Sequence, residues 1–233
     1  GGAAGATLAA LQPAERFLCA AQYALEQAGV TVQAARLGPC TADAAVVLGP
    51  LVGAPLVDMM NYTLQESDNL FAEGYLRHLG MAYQPAASGA AQARGIAAVQ
   101  EILAELGVDT STFAQVDGSG LSRHNLLSPR AMAEILELMD ETADGAVYRS
   151  FLPVAGESGS LSNRFVGTPA QGVVEAKTGS MSGVNSLSGY VDARDDFPQI
   201  VFSILTNFSN QSSSTVRKGI DAIVVLFTQL VQG

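Results

Sequence analysis

The sequence predicts an α+β fold in which an antiparallel sheet is flanked by helices. Helical periodicity dominates the first two thirds of the chain, and a further apolar helix is predicted near its end, over 213–231. Between these helices lie three strand-like runs joined by short, polar segments: 173–178, 186–192 and 199–207. Strands joined in this way pair as an antiparallel meander. Because three strands are a small core for so many helices, we expect further strands of this sheet to lie outside the chain.

The first fifty residues predict one helix and two short strands. Pro13 suits a first-turn position, and apolar residues recur at helical spacing until Gly29, which predicts a helix over 13–29. Strands are predicted over 30–35 and 44–48, the second of them just before Gly-Pro and Ala-Pro breaks.

Two helices are predicted to meet at a serine. Over 56–79 the apolar stripe changes phase around Ser67, which indicates one helix before this residue and another after it. Either Ser67 or Asp68 would then cap the second helix, and the local sequence favours capping as the role of Ser67. A further helix is predicted over 92–106 and is closed by Gly107.

The middle of the chain predicts a tight loop, a capped helix and an irregular segment. A tight, glycine-rich loop is predicted at Asp117-Gly118-Ser119-Gly120. It is either a simple turn or a loop with a direct catalytic role, and the residues alone favour neither interpretation. Ser128 and Pro129 suit the N-cap and first positions of a helix that continues to 139. Residues 152–172 are rich in Gly, Ser and Pro and predict irregular structure.

Composition excludes several classes of partner. The net charge is −10, and the 12 basic residues form no cluster, which argues against nucleic acids and against anionic membrane surfaces. Hydrophobic residues make up 48% of the chain, enough for a packed core. We find no run of about 18 apolar residues, the length that a membrane span needs.

The cysteines and histidines predict no metal site. Cys19 and Cys40 are either two small buried residues or a disulfide formed in an oxidising compartment. His78 and His124 are far apart in sequence, and neither has evident partners for a zinc site or for a histidine-based triad.

Two short motifs carry the functional signal. Lys177-Thr178-Gly179 ends an apolar, strand-like run, and Ser67-Asp68-Asn69 stands at the predicted helix junction. A lone lysine on a strand is usually a solvated surface charge. A lysine in an apolar strand of a chain with only two lysines instead favours a functional role. Neither lysine is preceded by a serine at the Ser-x-x-Lys spacing.

From about Pro13 to its end, the chain resembles the D-alanyl-D-alanine carboxypeptidase/endopeptidase family, the low-molecular-mass class C penicillin-binding proteins. The likeness rests on Leu-Gln-Glu-Ser-Asp-Asn-Leu-Phe-Ala-Glu at 64–73, Val-Asp-Gly-Ser-Gly-Leu-Ser-Arg-His-Asn at 116–125, and Gly-Thr-Pro followed by Ala-Lys-Thr-Gly within 167–179. In such enzymes Ser-x-x-Lys, Ser-x-Asn and Lys-Thr-Gly line one site.

The resemblance implies a β-lactamase/transpeptidase-like fold that is incomplete in this chain, with three C-terminal strands plus helices. Residues 1–53 would be the end of an inserted domain and its return segment, and residues 54–233 the C-terminal part of the catalytic domain. The Ser-x-x-Lys segment that carries the nucleophile would belong to a missing N-terminal segment of the same protein.

The resemblance also implies catalytic roles. Ser67 would pass a proton to the departing nitrogen, and Asn69 would donate a hydrogen bond to the substrate amide carbonyl or hold the base in place. The Lys177 ammonium would lie near Ser67 and help to bind the substrate carboxylate. We therefore expect the Ser67 and Lys177 side chains to face each other across a groove that receives the C-terminal end of a peptide.

Three further residues would bind the substrate. Thr178 would form a hydrogen bond with the carboxylate, and Gly179 would let the substrate backbone approach the strand. The backbone N–H of Ser180 would be one donor of the oxyanion hole.

The function implied is that of a serine-type DD-peptidase that cleaves peptidoglycan stem peptides through an acyl-enzyme. β-Lactams would inhibit it covalently, no cofactor or metal would be needed, and the location would be periplasmic or otherwise extracytoplasmic. Two alternatives remain open: a β-lactamase, and a non-catalytic wall-binding protein that has lost its nucleophile.

Overall fold

The computed structural model describes residues 12–38, 53–83, 88–192 and 198–229. The chain divides into two units, Gly1–Val52 and Gly53–Gly233. The origin of the first unit as the end of an inserted domain stays a prediction.

Within the first unit the structure describes one helix, α1 (Pro13–Gln27), and an irregular segment that follows it. The helix confirms the prediction, but the strand predicted over 30–35 is wrong. A strand needs a neighbouring strand for its backbone hydrogen bonds, and none pairs with these residues in the described part of the chain. The strand predicted over 44–48 lies outside the described residues.

Cys19 is exposed on α1, which contradicts its interpretation as a small buried residue. Cys40 lies outside the described residues, so the alternative of a disulfide stays a prediction.

The second unit contains helices on both sides of a sheet. The helices are α2 (Leu56–Glu66), α3 (Asn69–Tyr83), α4 (Ala91–Glu105), α5 (Pro129–Glu141), α6 (Gly145–Ser150) and α7 (Ser213–Phe227). The strands are β1 (Phe113–Ala114), β2 (Leu126–Leu127), β3 (Val174–Met181), β4 (Val184–Val191) and β5 (Ile200–Thr206). The pair β1–β2 and the helix α6 were not predicted, because two and six residues are too short to show a period. No helix in the described ranges is both long and apolar enough to cross a membrane.

The predicted meander is confirmed, since β3, β4 and β5 pair in that order and antiparallel. Side chains alternate between the two faces of the sheet. One face packs on α7 through Leu187, Phe202 and Val224 among others. The opposite face packs on α5, where the Tyr190 hydroxyl donates a 2.7 Å hydrogen bond to the Leu136 carbonyl. This arrangement of helix, sheet and helix confirms the α+β prediction.

The register places Lys177 on the α5 face of the sheet. Glu175 stands opposite Tyr190, which belongs to that face, and Lys177 lies two residues further along β3. The neighbours of Lys177 across the sheet are polar: it pairs with Ser188, whose hydroxyl lies 2.9 Å from that of Ser203. The end of this face that carries the lysine is therefore polar.

The outer edge of β3 is covered only along its first half. The Ala155 N–H donates to the Val174 carbonyl at 2.9 Å, and the Ala176 N–H donates to the Pro153 carbonyl at 3.0 Å. Because backbone polar groups alternate along a strand, those of Thr178 and Ser180 point to the same edge. No described strand pairs with that edge. The second half of β3 therefore presents backbone groups at the sheet's edge with which no described strand pairs.

Candidate active site

Ser67 lies at the junction of α2 and α3, as predicted, but it does not cap α3. Its backbone is left-handed, with φ 58° and ψ 50°, a conformation that residues other than glycine rarely adopt. The Asp68 carboxylate is the cap, because its Oδ1 accepts hydrogen bonds from the N–H groups of Leu70 and Phe71 at 2.9 and 3.0 Å. The capping role that the local sequence favoured for Ser67 is therefore wrong, and its hydroxyl is left available for another contact.

That contact is with Lys177. The Lys177 Nζ donates a hydrogen bond of 2.6 Å to the Ser67 Oγ, although the two residues are 110 positions apart in the sequence. The same Nζ donates to the Thr178 carbonyl at 3.1 Å. The two side chains that we expected to face each other are thus in direct contact.

The Lys177 ammonium is half-buried. Burial lowers the pKa of Lys177 from its ordinary value of 10.5 to about 8. Among the described residues, no carboxylate lies within 4.0 Å of its Nζ. Since the amine is still mostly protonated at pH 7, the site holds a positive charge that no carboxylate of the described residues balances, and it can accept an anion.

Thr178, the residue after Lys177 in β3, and a serine that the sequence analysis missed form a pair of hydroxyls. The Thr178 Oγ1 donates a 3.0 Å hydrogen bond to the Oγ of Ser160, which lies exposed in a single 3₁₀ turn (Gly159–Leu161) within the segment predicted to be irregular. The irregular segment has no periodicity, so the sequence carried no signal that would have indicated Ser160.

Gly179 and Ser180 complete the second half of β3. A Cβ on Gly179 would lie 2.3 Å from the Ser186 hydroxyl on β4, so a larger residue would displace that side chain. Ser180 is exposed, and its N–H belongs to the open edge of the strand. Asn69 begins α3 and is exposed; in the described part of the chain its side chain makes no hydrogen bond to Ser67 or Lys177.

The loop around Asp117 is a self-contained turn. The Asp117 carboxylate accepts hydrogen bonds from the N–H groups of Gly120 and Ser122 and from the Asn125 amide, each at 2.8 Å. Desolvation opposes ionisation of Asp117, but these bonds outweigh it and lower the carboxyl pKa. The side chain is fully engaged within the loop, which favours the turn among the two interpretations.

This loop borders the same end of the sheet. The Arg123 guanidinium donates to the Ser182 carbonyl in the turn between β3 and β4, at 3.0 Å. The Gly118 N–H donates to the Glu73 carboxylate on α3, and a Cβ on Gly118 would come within 2.7 Å of the Ala72 carbonyl. The loop therefore joins α3 to the end of β3.

The candidate site therefore consists of one cation, three hydroxyls and the open edge of β3. The cation is the Lys177 ammonium, and the hydroxyls are those of Ser67, Thr178 and Ser160. An ammonium beside hydroxyls suits a carboxylate, and the hydroxyl of Ser67 in contact with an amine of lowered pKa suits proton transfer. An open strand edge suits an extended peptide.

Comparison with known proteins gives the family. The sequence profile of the D-Ala-D-Ala carboxypeptidase 3 (S13) family matches residues 2–228. The chain is 39% identical to penicillin-sensitive carboxypeptidase A of Dictyostelium discoideum over 97% of its length, and 40% identical to the D-alanyl-D-alanine carboxypeptidase of Actinomadura sp. (strain R39) over 80%. It spans 44% and 35% of these two relatives, which is less than half of either.

Solved structures agree with this match. The crystal structure of penicillin binding protein 4 (dacB) of Haemophilus influenzae in complex with a β-lactam superposes with a TM-score of 0.78 at 26% identity. The match covers 96% of this chain and 53% of that one. This likeness confirms the β-lactamase/transpeptidase-like fold implied by the motifs. By its sequence profile and its relatives, the chain belongs to the D-Ala-D-Ala carboxypeptidase 3 (S13) family.

Proposed function

We propose that this chain is part of a serine-type DD-peptidase that acts on peptidoglycan stem peptides through an acyl-enzyme. The attacking serine is supplied by residues that are not among these 233. The observation that carries the proposal is the 2.6 Å contact between Ser67 and Lys177 beside the open edge of β3. The family supports a carboxypeptidase. The Lys177 ammonium, which has no carboxylate partner among the described residues, supports a substrate with a free carboxylate.

In this mechanism the chain binds the C-terminal end of the peptide. The substrate lies along the second half of β3 as an added strand. Its carboxylate accepts hydrogen bonds from the Lys177 ammonium and the Thr178 hydroxyl, which places the scissile bond beside Ser67. The N–H of Ser180 donates to the developing oxyanion, and Gly179 keeps the strand accessible to the substrate backbone.

Ser67 handles the leaving group. As the attacking oxygen bonds to the carbonyl carbon, the C–N bond of the terminal D-alanine breaks and its nitrogen needs a proton. The Ser67 O–H donates that proton and takes up in its place the proton that the attacking serine loses, which the lysine of the Ser-x-x-Lys segment outside these residues passes on. Meanwhile the Lys177 N–H stabilises the charge that develops on the Ser67 oxygen. Asn69 would donate to the substrate amide carbonyl. The ester is then hydrolysed by water, and the site is restored.

Labelling with fluorescent penicillin tests the proposal. The full-length gene product that carries this chain should be acylated at a serine outside these 233 residues, and the covalent adduct should be long-lived. The labelled residue is identified by mass spectrometry of the digested adduct. Labelling of Ser67 itself would contradict the assignment. Rapid turnover of penicillin would favour a β-lactamase, and an unlabelled protein would favour the non-catalytic alternative.

The charge on Lys177 predicts the pH dependence of the reaction. Since the lowered pKa of this amine is about 8, its positive charge is lost as the pH rises through that value. If the ammonium binds the carboxylate, kcat/KM for a D-Ala-D-Ala peptide should fall about tenfold per pH unit above pH 8.

A Lys177→Arg variant is the control, because arginine keeps its charge in this range. This variant should have lower activity throughout but no decline that begins near pH 8. A rate that rises through pH 8 in the unmodified enzyme would contradict the proposed role and would indicate that the neutral amine is the active form.

The proposed substrate implies the location. Peptidoglycan stem peptides are exposed outside the cytoplasmic membrane, so the enzyme would be periplasmic or otherwise extracytoplasmic. The part of the protein that carries the nucleophile would be an intramolecular partner of this chain.

A further inference from the structure

The position of Ser67 depends on a glutamine two residues before it. Gln65 lies in the last turn of α2 and is half-buried. Its amide Nε2 donates to two consecutive backbone carbonyls, those of Phe151 and Leu152, each at 3.0 Å. A single side chain therefore ties the end of α2 to a segment that is 86 residues away in the sequence.

That segment is itself joined to the strand that carries Lys177. Directly after Leu152, the Pro153 carbonyl accepts the Ala176 N–H at 3.0 Å. Ala176 immediately precedes Lys177. Phe151, Leu152 and Pro153 are buried, so this connection is embedded in the packed part of the unit. A short series of contacts thus leads from Ser67, through Gln65 and two backbone segments, to Lys177.

A glycine provides the space for this arrangement. A Cβ on Gly159 would lie 2.5 Å from the Gln65 Oε1 and 2.8 Å from the Gln65 carbonyl oxygen. Gly159 has φ 51°, in the left-handed region that favours glycine. The next residue, Ser160, is the one whose hydroxyl accepts the hydrogen bond from Thr178. The glycine that leaves room for Gln65 is therefore followed directly by the serine bonded to the proposed carboxylate-binding threonine.

We propose that Gln65 is a positioning residue, which holds the left-handed end of α2 so that the Ser67 hydroxyl stays in contact with the Lys177 ammonium. The expected effect of Gln65 on acylation rests on the proposed function. Its effect on the contact between Ser67 and Lys177 does not. Among the described residues, the Gln65 amide makes no hydrogen bond to Ser67 or to the residues proposed to bind the substrate, so Gln65 acts through the backbone that it ties down.

The test replaces Gln65 with methionine, which keeps the length of the side chain but removes the donor. Gln92→Met is the matched control, because the Gln92 amide also donates to a backbone carbonyl, that of Val116, at 2.9 Å. Gly159→Ala is a second variant that disturbs the same contact while leaving the Gln65 amide intact. All variants are made in the full-length gene product.

Two readouts are measured. Labelling with acetic anhydride as a function of pH, quantified by peptide mass spectrometry, gives the titration midpoint of Lys177, with the exposed Lys218 as the internal reference. The rate of acylation by a β-lactam is measured in parallel. In Gln65→Met and Gly159→Ala, water should reach the amine, so its midpoint should rise from about 8 towards 10.5. Acylation should slow by about 10- to 100-fold.

The control Gln92→Met should leave the Lys177 midpoint unchanged. The proposal is overturned if Gln65→Met and Gly159→Ala keep the midpoint and acylation rate of the unmodified protein, or if Gln92→Met shifts them equally. Failure of the proposed function gives a different result, because Ser67→Ala would then leave the rate of acylation unchanged. The titration midpoint of Lys177 would still rise in Gln65→Met if Gln65 holds Ser67 against Lys177.

Discussion

Replacing Ser67 with alanine is expected to slow acylation by a D-Ala-D-Ala peptide about 10²- to 10⁴-fold, the range typical for loss of a general acid or base. The reason is that the departing nitrogen would lose its proton donor. Because Ser67 acts mainly in the transition state, kcat should fall while KM changes little. Steady-state release of D-alanine by the full-length gene product measures both quantities.

The backbone of Ser67 requires a second variant. Alanine at φ 58° adds strain, whereas glycine adopts this conformation readily. Ser67→Gly should therefore lose activity to the same extent while preserving the helix junction. Ser150→Ala is the control for loss of a serine hydroxyl, since Ser150 is exposed and donates only to the Val147 carbonyl on α6. Normal kcat in both Ser67 variants would remove Ser67 from the mechanism.

Replacing Lys177 with alanine is expected to lower kcat/KM by about 10²- to 10³-fold, the loss typical when one electrostatic donor is removed from a site that excludes water. Two contacts would disappear: the one to Ser67 and the one proposed to the substrate carboxylate. Unlike the Ser67 variants, this one should raise KM as well as lower kcat, because the carboxylate is bound in the ground state too.

Comparison with a peptide amide separates the two contributions. A substrate whose C-terminal carboxylate is replaced by a carboxamide should react slowly with the unmodified enzyme. Lys177→Ala should lower kcat/KM for this amide less than for the acid, because only the contact with Ser67 is lost. Lys218→Ala is the matched control, since Lys218 is an exposed lysine on α7. Equal losses with the acid and the amide would contradict a role of Lys177 in binding the carboxylate.

Much of the architecture could be predicted from the sequence because it depends on local periodicity. The helix junction at Ser67, the cap at Ser128 and the three-stranded meander all appear where the apolar pattern placed them. The strand predicted over 30–35 was wrong because strands, unlike helices, depend on partners that a local pattern does not show.

The site could be predicted only in part. The motifs identified Ser67 and Lys177, but local propensity favoured a capping role for the serine, which Asp68 performs instead. Gln65 and Ser160 carry no sequence signal of their own. Their contacts lie with residues that are 86 and 18 positions away, and no periodicity relates residues across such distances.

By itself, the sequence determined the longer helices and the three-stranded meander, since these follow from the spacing of apolar residues and from capping chemistry. Only the tertiary structure decided that a serine and a lysine 110 residues apart are in contact, and that the pKa of the amine falls to about 8. The physical reason is that proximity and desolvation are properties of the packed chain. Both arise when the end of α2 is brought beside Lys177, and neither is encoded in the residues next to Ser67 or Lys177.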